Sequence, residues 1–175
     1  MSVSDFTIYG YFRSSAAFRL RIALNLKGIA ADQRFVHLRR NEQFAPEYDR
    51  LNPQHLIPTL VHGAEAIAQS LAIMEYLDEV QPEPPLLPRD RCGRARVRAL
   101  ALAVACDIHP LNNLRVLRHL QSMNISEEAR ADWQRHWIAE GFIALEQELG
   151  GRAGRFCHGD TPTMADCCLI PQMTN

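Results

Sequence analysis

Two adjacent serines, Ser14 and Ser15, stand where a predicted strand ends and a predicted helix begins. The first backbone N–H groups of a helix have no partner within it, and the helix dipole makes that end positive. An anion or a thiolate bound there is stabilised, and a serine hydroxyl can add a hydrogen bond to it. The alternative interpretation is that both serines only cap the helix. We take the junction as the centre of the candidate site, with a thiol cofactor and an anionic substrate as its expected ligands.

The first half of the chain predicts strands and helices in the order β-α-β followed by β-β-α. Its strand segments alternate and are rich in aromatic or β-branched residues, and Gly28 ends the first helix. A β-α-β unit of this length implies a parallel pair with a right-handed crossover. The predicted strands are 6–11, 34–38, 59–62 and 66–68, and the predicted helices are 15–27, 46–51 and 70–80.

A proline-rich stretch divides the chain, because Pro84, Pro85 and Pro88 exclude regular structure there. We therefore expect one domain over residues 1–82, a linker over 83–88 and an all-helical domain over 89–175. The second half predicts helices over 90–108, 111–123 and 126–149, with a break at His109-Pro110. Thr163 and Asp166 form a capping-box pattern before a last helix, which the sequence leaves short. We expect the chain to be a truncated version of a longer protein.

The composition excludes several classes of partner. The net charge of −1 gives no reason to expect a nucleic acid or an anionic membrane. No apolar run approaches the roughly 20 residues that span a bilayer, and the N-terminus lacks the pattern of a signal peptide. The five cysteines form no C-x-x-C pair, which argues against a metal site or a disulfide framework and favours reduced thiols in a cytoplasm.

The layout resembles a thioredoxin-like fold followed by a helical domain, an α+β arrangement similar to the cytosolic glutathione transferases. Residues 14–24 are similar to the helix-start signature of the zeta class, and residues 107–113 to its Asp-Ile-His-Pro-Leu-Asn-Asn segment. Broader superfamily matches are Ile57-Pro58-Thr59, where the proline before the third strand is often cis, together with 69–77 and 159–166. The resemblance covers essentially the whole chain.

The resemblance implies a glutathione-dependent cis–trans isomerase of maleylacetoacetate in the catabolism of tyrosine and phenylalanine, present as a cytoplasmic homodimer. Maleylpyruvate isomerase of the gentisate pathway is the alternative within the family. A non-catalytic binding protein with the transferase fold is the alternative from another class, but such proteins often lose the glutathione-binding residues that are present here. The retained pairs are Ser14-Ser15 and Gln69-Ser70.

Matching positions suggest roles for individual residues. Ser14 and Ser15 would activate the glutathione thiol, and Gln69 and Ser70 would hold the γ-glutamyl carboxylate. Arg13 and Arg115 are the candidates for the carboxylates of the substrate, since arginine pairs well with carboxylates. The residues matched to glutathione are Ser14, Ser15, Gln43, Ile57, Gln69, Ser70, His109 and Asn113, and no residue is matched to a metal.

Two features depart from the family pattern. Ala16 stands where the signature has a cysteine, and Phe18 stands where it has a tryptophan. Because glutathione brings its own thiol, the loss of that cysteine need not abolish isomerisation. Family members also continue beyond the point where this sequence stops.

Overall fold

The computed structural model describes residues 5–174 of the chain. The chain divides into two compact units. The first runs to Leu87 and also includes Met173 and Thr174, and the second runs from Pro88 to Gln172. The first unit contains a mixed sheet with helices, and the second is helical. This is the α+β, thioredoxin-like plus helical architecture that the sequence predicts.

The sheet of the first unit has four strands in the order β2-β1-β3-β4. β1 and β2 are parallel, whereas β1 pairs with β3, and β3 with β4, in antiparallel fashion. The parallel pair follows from the helical crossover between the two strands. The strands are β1 (Phe6–Gly10), β2 (Asp32–Phe35), β3 (Thr59–His62) and β4 (Glu65–Ala68).

The position of β2 differs from the predicted 34–38. Asp32–Phe35 lies at the edge of the sheet and is exposed along its whole length. Its pairing is set by the register with β1, in which Thr7 lies opposite Asp32, and not by an apolar face. After a last backbone hydrogen bond of 2.9 Å from Val36 to Gly10, the chain turns into a short 3-10 helix.

Three helices accompany the sheet: α1 (Ser15–Lys27), α2 (Pro46–Asp49) and α3 (Ser70–Val80). α1 ends at Gly28, whose left-handed φ of 65° allows its N–H to bond to the carbonyls of Asn25 and Leu24. α1 and α3 pack on each other, and their apolar faces form the core with the sheet. The fully buried core residues include Ile8, Leu20, Leu60, Ile73, Met74 and Leu77.

Lys27 and Asp78 tie the C-terminal ends of α1 and α3 to the segment that follows. The Lys27 ammonium, whose side chain is 0% exposed, lies 2.7 Å from Asp78 Oδ1. It also donates to the Pro84 carbonyl at 2.8 Å. Asp78 Oδ1 accepts a further hydrogen bond from the Leu86 N–H at 2.8 Å. A buried charge is thus matched by an opposite charge and a carbonyl.

The second unit consists of helices whose apolar sides face one another. They are α4 (Arg91–Leu102), a π-helical segment (Ala103–Ile108), α5 (Leu114–Ser122), α6 (Glu127–Leu149) and α7 (Met164–Gln172). The sequence predicts one helix over 90–108, but the α-helix changes to π-helix after Leu102. The wider turn still buries Val104 and Ile108, so the apolar spacing alone does not distinguish the two forms.

The π-helical segment packs against α6 at Gly141. A Cβ atom at Gly141 would lie 2.3 Å from Cγ1 and 2.4 Å from Cδ1 of Ile108. Only the absence of a side chain allows Ile108 to approach the α6 backbone so closely. The contact therefore fixes the residue immediately before His109.

One half of the predicted capping box, the bond from the Thr163 N–H to the Asp166 carboxylate, forms at the start of α7. One carboxylate oxygen of Asp166 accepts from the Thr163 N–H at 2.7 Å and from the Thr163 hydroxyl at 2.8 Å. The other oxygen accepts from the Cys157 N–H at 2.8 Å. The side chain therefore holds both the helix start and the preceding loop.

Candidate functional site

The chain segments that carry the predicted site residues of the first unit meet at one end of the strands. This edge of the sheet is formed by the last residues of β1 and β4 and the first residue of β3. β1 runs into α1 at this edge, and Thr59, the first residue of β3, pairs with Tyr9 at the end of β1. Thr59 also pairs with Ala68, the last residue of β4, which is followed by α3. The topology therefore brings the N-termini of α1 and α3 and the entry to β3 to the same edge.

Ser14 is the N-cap of α1. Its Oγ accepts a hydrogen bond of 3.1 Å from the Ala17 N–H, and its extended φ and ψ of −83° and 115° suit a cap. Ser15 begins the helix and is buried, as is Ala16, while Arg13 is exposed. Ser14 therefore caps the helix, and a hydroxyl that accepts one hydrogen bond can still donate its own hydrogen.

The start of α3 is a second helix N-terminus in this unit. Gln69, its N-cap, has a φ of 71°, in the left-handed region that non-glycine residues seldom adopt. Its side-chain amide donates to Gln54 Oε1 at 2.9 Å. Ser70 is buried and its hydroxyl accepts from Nη1 of Arg19 at 3.2 Å, which links α1 to α3.

Gln43 lies in the 3-10 helix Glu42–Phe44, after β2. Its side chain is 5% exposed, and its Oε1 atom is buried without a hydrogen-bond partner among residues 5–174. A buried amide oxygen without a partner carries a desolvation cost. A ligand N–H group would remove that cost, which fits the predicted role of Gln43 in binding a peptide.

Ile57 precedes Pro58 in a cis peptide bond. Its side chain packs against Tyr11, Val36 and Tyr48. Within the described part of the chain, neither its N–H nor its C=O makes a hydrogen bond. A backbone donor and acceptor are thus available side by side, as recognition of an extended peptide requires.

The side chains that surround Ile57 could not be identified from the sequence. The Tyr48 hydroxyl donates to the Leu56 carbonyl and lies 2.9 Å from Thr59 Oγ1. Asn52 donates to the same two atoms at 2.8 and 3.2 Å. The sequence shows the Asn52-Pro53 pair at this point, but a pair of residues does not indicate what the amide contacts.

His109, Asn113 and Arg115 lie together in the second unit. The Asn113 amide lies 3.2 Å from Nε2 of His109. Its Oδ1 caps α5 by accepting from the Arg115 N–H at 3.1 Å, and the Arg115 side chain is exposed. Asn113 therefore orients the imidazole and starts the helix that carries Arg115.

Two of the protein's thiols, those of Cys157 and Cys167, are poorly suited to act as nucleophiles. Cys157 and Cys167 are buried. Burial, reinforced by the Asp166 carboxylate, raises the pKa of Cys157 from 9.0 to about 12. Burial also raises the pKa of Cys167. Because the thiolate is the reactive form, these two groups stay protonated and inert at neutral pH.

The described residues contain no group of three or more His, Cys, Asp or Glu side chains arranged to hold a metal ion. In the same part of the chain, no helix has both the length and the apolar character needed to cross a membrane.

Comparisons with known proteins show which family the chain resembles. Residues 4–79 match the N-terminal domain of glutathione S-transferases. The chain is 49% identical to a probable maleylacetoacetate isomerase of Vibrio cholerae, covering 96% of this chain and 80% of that protein. It is 48% identical to a maleylpyruvate isomerase of a Ralstonia species, covering 95% and 80%.

A solved structure is also similar. The maleylacetoacetate isomerase of Methylobacterium extorquens AM1, crystallised with bound malonate and glutathione, superposes with a TM-score of 0.92 at 43% identity. The similarity covers 96% of this chain and 80% of that one.

Proposed function

Because the chain belongs to the zeta-class, maleylacetoacetate isomerase family of glutathione transferases, we propose that it is a glutathione-dependent isomerase of maleylacetoacetate. The product is fumarylacetoacetate, in tyrosine and phenylalanine catabolism. The observation that carries the proposal is the convergence at one sheet edge of two helix N-termini, led by Ser14 and Ser70, with the backbone of Ile57. We assign glutathione binding to the domain of residues 1–82 and substrate binding to that of residues 89–175.

The donors and acceptors at this edge fit a γ-glutamyl tripeptide. The start of α3, with Gln69 and Ser70, suits the γ-glutamyl carboxylate, since a helix N-terminus favours an anion. The N–H and C=O of Ile57 suit the cysteinyl residue, and the unpartnered Oε1 of Gln43 suits an N–H near the glycyl end. We assign His109 and Asn113 as further glutathione contacts.

Bound glutathione would supply a thiolate, which can add to a conjugated double bond and leave again after the bond has rotated. The residues of this chain lower the pKa of that thiol. The Ser14 hydroxyl uses its oxygen to cap α1 and has its hydrogen to donate to a sulfur. Ser15 and the positive end of α1 also lower the pKa of the thiol. The helix dipole stabilises the thiolate by about 0.3–1 kcal/mol. Arg13 and Arg115 neutralise the carboxylates of the substrate.

Maleylpyruvate is the second candidate substrate. A maleylpyruvate isomerase is nearly as similar to the chain as a maleylacetoacetate isomerase is. Both substrates are conjugated and carry carboxylates, so the arginines proposed for one suit the other.

We propose in addition that the protein is a cytoplasmic homodimer. The five cysteines are all free thiols, in keeping with a reducing compartment. Sedimentation equilibrium of the purified protein tests the dimer.

The experiment that tests the function measures isomerisation of maleylacetoacetate and of maleylpyruvate by the purified protein, with and without glutathione. We expect turnover only when glutathione is present, and the ratio of the two kcat/KM values identifies the preferred substrate. Binding of glutathione without turnover of either compound would instead support the non-catalytic alternative.

A further inference from the structure

We propose that Tyr48 and Asn52 are positioning residues for glutathione: they hold the backbone on both sides of Ile57, so that its N–H and C=O stay available to the ligand. This inference rests on the proposed function, and it concerns two side chains that need not touch the ligand. Its evidence is a closed ring of hydrogen bonds around the Leu56–Thr59 segment.

The direction of each hydrogen bond in the ring follows from the chemistry of its members. The Leu56 carbonyl can only accept, so the Tyr48 hydroxyl and the Asn52 amide both donate to it, at 2.5 and 2.8 Å. Tyr48 has then used its only hydrogen, so the Thr59 hydroxyl donates to it at 2.9 Å. Thr59 Oγ1 in turn accepts the second Asn52 hydrogen at 3.2 Å. Every donor in the ring is used.

The three side chains of the ring are buried. Tyr48 is 4% exposed, Asn52 is 2% exposed and Thr59 is 0% exposed. Water therefore cannot replace a missing partner, and a buried polar group left without one loses its full solvation. Burial also raises the pKa of Tyr48, so its hydroxyl remains a donor throughout the neutral and mildly alkaline range.

The position of the ring relates it to the ligand. The Leu56 carbonyl and the Thr59 side chain lie on either side of Ile57 and Pro58, so the ring fixes the segment at both ends. The same loop reaches α3, because Asn52 Oδ1 accepts from the Gln54 N–H at 3.0 Å and Gln54 Oε1 accepts from Gln69. Two predicted glutathione contacts, Ile57 and Gln69, thus depend on one buried amide.

Isothermal titration calorimetry with glutathione tests the proposal on Tyr48→Phe, with Tyr76→Phe as the matched control. The Tyr76→Phe variant also loses one hydrogen bond of a tyrosine hydroxyl, the 2.7 Å bond to His62 Nδ1, within the same unit. We expect both variants to melt at a lower temperature than the wild type. Tyr48→Phe alone should raise the Kd for glutathione, by about fivefold, since a hydrogen bond contributes about 1 kcal/mol.

A second pair of variants keeps the test independent of the tyrosine ring. Thr59→Ser retains the hydroxyl and should retain the wild-type Kd, whereas Thr59→Val removes it and should weaken binding about as much as Tyr48→Phe does. At saturating glutathione, kcat of Tyr48→Phe should stay close to the wild-type value, because the thiol-activating serines are unchanged.

The outcomes separate this inference from the function on which it rests. Wild-type protein that binds no glutathione would overturn both. Wild-type protein that binds glutathione, with the Kd unchanged in both Tyr48→Phe and Thr59→Val, would overturn the positioning role alone.

Discussion

The Ser14 hydroxyl has two tasks that different measurements separate. Its oxygen caps α1 through Ala17, and in the proposed function its hydrogen goes to the glutathione sulfur. We expect Ser14→Ala to raise the pKa of bound glutathione by about 1–2 pH units, since hydrogen bonds to charged groups contribute about 1.5–3 kcal/mol. The thiolate absorbance in the ultraviolet, followed against pH, measures this shift.

Ser126 provides the control for this variant. It caps α6 with the same geometry, its Oγ accepting from the Ala129 N–H at 3.1 Å. Both alanine variants should lose about 1 kcal/mol of stability, but only Ser14→Ala should change the thiol titration. Equal titration curves for the two variants would leave Ser14 as a cap alone.

Cys157 should make the protein less stable at alkaline pH. Its thiol ionises near 9.0 when unperturbed and at about 12 in the folded protein, so between these values the folded state binds a proton that the unfolded state has released. The free energy of unfolding therefore falls as the pH rises above 9.0. Urea denaturation over that range should show a shallower fall for Cys157→Ala, and identical slopes would contradict the assignment.

The roles of individual residues could be predicted where the residue type and its spacing along the chain are enough to identify them. The Ser14 cap and the hydrogen bond from the Thr163 N–H to the Asp166 carboxylate follow from residue type and spacing alone. The ring around Ile57 could not be predicted, because it joins residues from α2, the following loop and β3. Only the folded chain brings Tyr48, Asn52 and Thr59 within hydrogen-bonding distance.

At the level of elements, the contact of Gly141 with Ile108 connects α6 to the π-helical segment. Alanine is ordinarily the better helix former by about 1 kcal/mol, but the new methyl group would overlap Ile108. We expect Gly141→Ala to destabilise the protein by about 1–2 kcal/mol through overpacking, as measured by chemical denaturation.

The sign of this effect should reverse when Ile108 is shortened. In an Ile108→Ala background the overlap is gone, so Gly141→Ala should stabilise by as much as about 1 kcal/mol. Destabilisation of equal size in both backgrounds would mean that the two residues are not coupled.

The elements themselves were predicted unevenly. α1 and α3 follow from apolar spacing, a serine at the start of each and, for α1, the glycine at its end. β2 was misplaced because an exposed edge strand has no apolar face to mark its register. The π-helical segment was missed because the α and π forms bury the same apolar side chains there.

At the scale of the whole molecule, an ion pair stabilises the end of the first unit. Asp78→Asn would leave the Lys27 ammonium buried without an opposite charge, and breaking a buried pair in this way costs about 3–5 kcal/mol. The exposed pair between Asp132 and Arg135, with side chains 65% and 67% exposed, is the control. Asp132→Asn should cost less than about 1 kcal/mol in the same denaturation experiment, and similar losses for both would contradict the buried role of Lys27.

The burial of Lys27 has a practical consequence, since it is the only lysine in the chain. Amine-reactive reagents should leave this side chain unmodified until the first unit opens. The rate at which the Lys27 label appears in mass spectra then reports the opening of that unit directly, without an introduced probe. The same shielding keeps amine-to-amine cross-linkers from linking the first unit to a partner through Lys27.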